Sequence, residues 1–192
     1  MSLHSSPRRS AHIRAHADAA PGDERAFSPE EELRGAEAAA LRILGGAAQS
    51  QASLRRRLVR RGFSDEAAGS ATDAAVRAGY VDDAALAGSI VARRRGHRGT
   101  VRIVAELRAR GVDVELARQA AGTVPADEER EAAVREARRR VAQRPLPDDR
   151  TGRRREIARI ASALSRRGFP SDAVAHALRV VGAGAEEDAE AT

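Results

Sequence analysis

The chain has 192 residues, 42% of them apolar, with no Cys, no Trp, three Phe and one Tyr. Disulfides and thiolate chemistry are excluded, base-stacking platforms are poorly supplied, and no apolar run is long enough for a membrane span or secretory signal, so a cytoplasmic protein is expected. All 34 basic residues are Arg and they outnumber 28 acids, for a formal charge of +6; without Lys, a phosphate-binding loop built around one is excluded too.

Residues 1–28 scatter Ser, His, Pro and Arg with no apolar period and read as a disordered tail. A first helix is expected from Glu31 to Leu44, ending at Gly45-Gly46. A second carries Leu54 and Leu58 on one face, interrupted at Gln51 and Arg55, and stops at Gly62-Phe63. Asp65 and Glu66 open a third, where acids favour the positive end of the helix dipole, and Ala68, Ala71, Thr72 and Ala75 line its face. Gly79-Tyr80-Val81 then leads to Asp82-Asp83, read as the N-cap of a helix reaching Arg95.

The turn Gly96-His97-Arg98-Gly99 precedes a face of Ile103, Val104 and Leu107, interrupted at Thr100, which stops at Gly111-Val112. Asp113 and Glu115 open the next helix, faced by Ala117, Ala120, Ala121 and Val124. A helix from Asp127 to Gln143 is thinly apolar, at Val134, Ala137 and Val141, and Pro145-Leu-Pro147-Asp-Asp is expected to be the most flexible joint. Ile157, Ile160, Ala161 and Leu164 then lead to a stop at Gly168-Phe169, and Asp172 opens a helix faced by Val174, Ala177, Leu178 and Val181. Residues 183–192 form an acidic tail holding Glu186, Glu187, Asp188 and Glu190.

One phrase therefore occurs three times: Leu58 to Phe63, Leu107 to Val112 and Leu164 to Phe169, each reading Leu-x-x-Arg-Gly-hydrophobe. The phrase predicts a Schellman helix ending, with Gly62, Gly111 and Gly168 left-handed and Phe63, Val112 and Phe169 packing back on Leu58, Leu107 and Leu164. The copies lie 49 and then 57 residues apart, a spacing suited to a helical unit with variable loops. The fold expected is all-α: three tandem three-helix modules, 29–78, 79–124 and 125–182, in an elongated, curved array whose Ala-rich modules lean on their neighbours.

Arg recurs on the helix before each Gly. The first module has Arg56, Arg57, Arg60 and Arg61; the second has Arg102, Arg108 and Arg110, preceded by Arg94, Arg95 and Arg98; the third has Arg154, Arg155, Arg159, Arg166 and Arg167. Any single Arg here is accounted for by a solvated face or by the helix dipole, but the same bias in three modules points to a polyanionic or acidic partner.

No catalytic constellation emerges. His4, His12 and His16 fall in the tail, His97 and His176 stand alone, and Gly182-Ala-Gly184 lacks the strand-to-helix context of a dinucleotide loop. A protein that is not an enzyme, with no cofactor or metal, is expected.

The run Ala40 to Leu44, then Gln49 to Phe63, Gly79 to Asp83, Gly99 to Val112 and finally Leu164 to Phe169 resembles the RecX family of bacterial recombination regulators over about residues 36 to 182. The chain departs from that pattern at Ser53, where the family often has Glu, and at Leu86-Ala87, where it often has an aromatic residue. The resemblance implies a regulator that binds the RecA recombinase filament along its helical groove and restrains ATP hydrolysis, strand exchange and stimulated repressor cleavage. A monomer is expected, with no membrane partner. The competing reading is a protein that binds single-stranded or duplex DNA directly through its tandem modules.

Overall fold

The structure, a computed structural model, describes residues 28–190, with side chains through residue 183. The tail expected over residues 1–28 thus lies outside the described residues except for Ser28. Among the described residues there are nine helices and no strand. They are α1 (Pro29–Gly46), α2 (Gln51–Val59), α3 (Asp65–Arg77), α4 (Asp83–Arg94), α5 (Thr100–Ala109), α6 (Val114–Ala121), α7 (Ala126–Gln143), α8 (Arg150–Arg166) and α9 (Ser171–Glu190). The protein is all-α and elongated, and its helices fall into three successive groups of three.

Each group closes around its own core. In α1–α3, Leu54 and Leu58 are fully buried among Ala36, Ala39, Ala40, Ala68, Ala71 and Ala75. In α4–α6 the core is Leu86, Ile90, Val91, Ile103, Leu107 and Val112, with Ala117 and Ala121. In α7–α9 it is Ile160, Leu164, Phe169, Val174 and Val181 with a band of Ala. Fully burying a Leu or Ile contributes roughly 1.5–3 kcal/mol and an Ala far less, so each group holds only a few strong anchors.

Capping fixes where the helices begin. Ser28 and Glu31 form a reciprocal capping box at α1, while Ser50, Ser64, Asp82, Asp113 and Asp149 each accept an amide from the first turn of their helices. The helix stops have the geometry the repeated phrase implies. Gly62, Gly111 and Gly168 have φ of 94, 89 and 81°. The amides of Phe63, Val112 and Phe169 donate to the carbonyls of Leu58, Leu107 and Leu164 at 3.4, 3.1 and 3.3 Å.

Three details differ from the sequence reading. The inward stripe of α7 is centred on Glu129, Ala132, Ala133, Glu136 and Ala137, with Val134 and Val141 only half-buried at its edge. The reason is that two carboxylates point inward with partners, which a count of apolar residues cannot register. Val124 packs on the second core from beyond the end of α6. The backbone of α9 stays helical to Glu190, through most of the stretch read as an acidic tail; the side chains of 184–192 lie outside the described residues.

Candidate functional site

The groups are joined by the same device twice. The first turn of an α-helix has amides without intrahelical partners, and here the following group supplies the acceptors. At the first junction, the Asp83 Oδ1 of α4 accepts the Gln51 amide of α2 at 2.9 Å. The Ser50 hydroxyl, capping α2, donates to the Arg110 carbonyl at 2.6 Å. At the second, Glu129 Oε1 of α7 accepts the Thr100 amide of α5 at 2.6 Å. The Gly99 and Val101 amides donate to the carbonyls of Arg167 and Gly168 at 3.0 and 3.1 Å. Gly99, the N-cap of α5, has no side chain to cap with, so this helix start is satisfied from the next group.

The Gly111 and Gly168 turns are thus also the surfaces on which successive groups meet. A Cβ at Gly168 would overlap the backbone nitrogen and Cβ of Arg102, and one at Gly99 would overlap the Gly168 carbonyl. A Cβ at Gly111 would lie 2.9 Å from both Ser50 Oγ and Arg56 Nη2. Asp82 and Asp83, read together as a cap, divide the work: Asp82 caps α4 and Asp83 reaches across to α2. Burial pushes the Asp83 carboxyl above the usual range, against the lowering effect of the Gln51 hydrogen bond.

Ion pairs sort the candidate Arg into two sets. Arg94 holds Glu106 in a two-pronged pair, Nε to Oε2 at 2.9 Å and Nη2 to Oε1 at 3.0 Å, and Arg110 joins the same carboxylate at 3.4 Å. The hydrogen bonds from Arg94 hold the Glu106 carboxyl below its ordinary range. Arg95 faces Glu128 at 3.9 Å and Arg159 faces Glu156 at 3.1 Å. Arg167 reaches Glu136 at 3.2 Å, a buried carboxylate also held by Arg139 and Arg140 at 2.9 and 3.0 Å. Sequence reasoning missed Ser50, Glu106, Glu129 and Glu136; the available signals were the spacing of Glu106 before Arg110 and of Glu136 before Arg139 and Arg140.

The remaining candidates form no ion pair with a described residue. These are Arg56, Arg57, Arg60 and Arg61 in the first group, Arg98, Arg102 and Arg108 in the second, and Arg154, Arg155 and Arg166 in the third. All are exposed except Arg57, which is half-buried. The Arg directly before each Gly is the element the three repeats share, and its fate differs: Arg110 and Arg167 are taken by carboxylates, while Arg61 is not. The first group also exposes Leu41 and Tyr80 at a groove lined by Glu37, Ala40, Ala71, Ala74, Ala75 and Ala78.

Among the described residues no group of three or more His, Cys, Asp or Glu side chains is arranged to hold a metal ion, and no helix is long and apolar enough to cross a membrane. His97 lies by Arg135 and Glu136, and His176 by Arg130 and Val134, and no Ser, Thr or Cys lines either pocket.

Residues 82–120, the span of α4 to α6, match the family model described as RecX, second three-helix domain. Regulatory protein RecX of Amycolatopsis mediterranei is 34% identical over 145 residues, covering 74% of this chain and 80% of the relative. Regulatory protein RecX of Mycolicibacterium vanbaalenii is 33% identical over 150 residues, 75% of this chain and 82% of the relative. The crystal structure of RecX from Lactobacillus salivarius superposes with a TM-score of 0.71 over 80% of this chain and 98% of that one, at 17% identity. A second crystal structure, of a regulatory protein RecX, gives 0.67 over 77% of this chain and 72% of that one, also at 17% identity. At such identities the structural likeness shows the fold.

Proposed function

Because the chain belongs to the RecX family, we propose that it regulates the RecA recombinase by binding the RecA–DNA filament along its groove, restraining ATP hydrolysis, strand exchange and stimulated repressor cleavage. The observation that carries this reading is the unpaired Arg set presented by three locked groups in a row. An elongated row can touch successive protomers, and several weak contacts then act at high effective concentration. Arg suits the task because its planar fork pairs with carboxylates of a protein or phosphates of DNA.

Co-sedimentation with RecA filaments on single-stranded DNA, against DNA alone, tests it, with the ATPase rate as the functional readout. Binding and inhibition at low ratios to RecA support the reading; retention on bare DNA with no preference for the filament overturns it. The same exposed Arg set, Arg154 and Arg155 among it, also suits DNA phosphates and supports a second reading as a direct DNA-binding protein. That reading requires tight binding to bare DNA with a steep salt dependence.

A further inference from the structure

Two of the three glycine turns grip a helix start, and among the described residues the third receives none. Gly62 has the same left-handed backbone as Gly111 and Gly168, and Phe63 makes the same bond back to Leu58. Yet a Cβ at Gly62 would meet nothing within 4 Å, and the carbonyls of Arg61 and Gly62 accept no hydrogen bond from a described residue. Exposure follows suit: Gly62 is exposed, Gly111 half-buried and Gly168 buried. Phe63 is half-buried, whereas Val112 and Phe169 are 4 and 5% exposed. Glu32, three residues before the Gly35 that packs on Phe63, instead holds the Ser64 amide and hydroxyl at 2.6 and 2.9 Å.

We propose that the Gly62 turn is a docking site for the first turn of an α-helix belonging to a partner protein, received by the carbonyls of Arg61 and Gly62. The two occupied turns define the occupant. Each receives a helix beginning with a small N-cap residue: the Ser50 hydroxyl donates to the Arg110 carbonyl, and the Gly99 and Val101 amides donate to the carbonyls of Arg167 and Gly168. The unpaired Arg60 and Arg61 add a charge requirement: the partner's first turn carries Asp or Glu, the residues that also favour a helix N-terminus. The site rests on the filament-binding reading, because the partner used to test it is the RecA filament.

Gly62→Asn is the informative variant. Asn enters the left-handed region more readily than other residues with a side chain, so the stop survives while the added amide covers the turn. Circular dichroism and thermal unfolding should stay close to wild type, and affinity for RecA filaments on single-stranded DNA should fall about tenfold, the scale of one or two lost hydrogen bonds. A second variant, Arg60→Glu with Arg61→Glu, leaves the backbone alone and should weaken binding by repelling the partner's acids.

If wild type binds the filament and both variants bind equally well, the docking site is wrong and the regulatory reading stands. If wild type fails to bind, that reading fails and the site with it. Light scattering that shows a dimer lost in Gly62→Asn, or amide protection at Phe63 and Ser64 lost when residues 1–27 are deleted, would assign the turn to a second copy or to the chain's own N-terminal segment, and either overturns the proposal.

Discussion

The Gly62 and Gly168 turns are nearly the same six residues in the same conformation, and they stand in opposite surroundings. Gly62 faces open space, while Gly168 is pressed against Arg102 and gives its carbonyl to Val101. The comparison separates two roles in one phrase. Stopping a helix needs only the left-handed residue and the bond back to Leu58 or Leu164, which is local. Joining two groups needs a bare backbone on which another helix can sit, and there the missing Cβ matters for space as well as for φ.

Alanine at each turn measures the difference. Gly62→Ala should cost roughly 1–2 kcal/mol, the penalty of a left-handed residue with a Cβ. Gly168→Ala carries that cost plus a collision with backbone, for a total of roughly 2–5 kcal/mol on adding typical overpacking strain. Gly111→Ala should fall between, because its Cβ meets side-chain atoms of Ser50, Arg56 and Ala52 rather than backbone, although displacing the Ser50 hydroxyl strains the first junction. Urea unfolding reads all three, and equal losses at Gly62 and Gly168 would mean that the junction contributes nothing. Gly111→Val, with its branched Cβ, should also disorient the outer groups, changing the scattering profile and lowering filament inhibition while helix content remains substantial.

The next effect is that of the acid beside the turn. Glu129→Ala removes the acceptor from Thr100, and with Gly99 at the N-cap no side chain of α5 can replace it. The loss should be about 1 kcal/mol, as for a deleted N-cap. Glu129→Gln, which keeps a carbonyl oxygen, should lose less. Hydrogen exchange at Thr100 should quicken in the Ala variant ahead of the rest of α5; unchanged exchange would show that the Gly168 turn alone holds the helix start.

Much of this was written locally. The three Gly stops, the Asp82 cap and the Leu and Ile anchors follow from spacing alone, because each depends on residues within one or two helical turns, whereas the Ser28, Ser50 and Ser64 caps were missed. The junctions were not legible, since Glu129 and Thr100 lie far apart along the chain and meet only when two groups pack. The candidate surface was half legible for a related reason. Arg clusters are plain in the sequence, but which of them are consumed depends on whether a Glu such as Glu106 or Glu136 faces them across helices.

The smallest expected effect sharpens the contrast between the two junctions, because their acids differ in exposure. Glu129 is buried, whereas Asp83 is half-buried and pushed above the ordinary Asp value mainly by desolvation. A carboxyl whose folded pKa exceeds its unfolded one binds protons more tightly when folded, so stability falls as pH rises from the ordinary value of 3.8 through the raised one. Above that window the ionised Asp83 carries its full desolvation penalty. Asp83→Asn removes the charge and keeps an oxygen for the Gln51 amide, so it should raise the melting temperature slightly at pH 7, with the difference closing as pH drops toward 3.8. A melting temperature lowered at pH 7 would mean that the negative charge at the start of α4, acting on the helix dipoles of α2 and α4, outweighs desolvation, and that the first junction is held electrostatically.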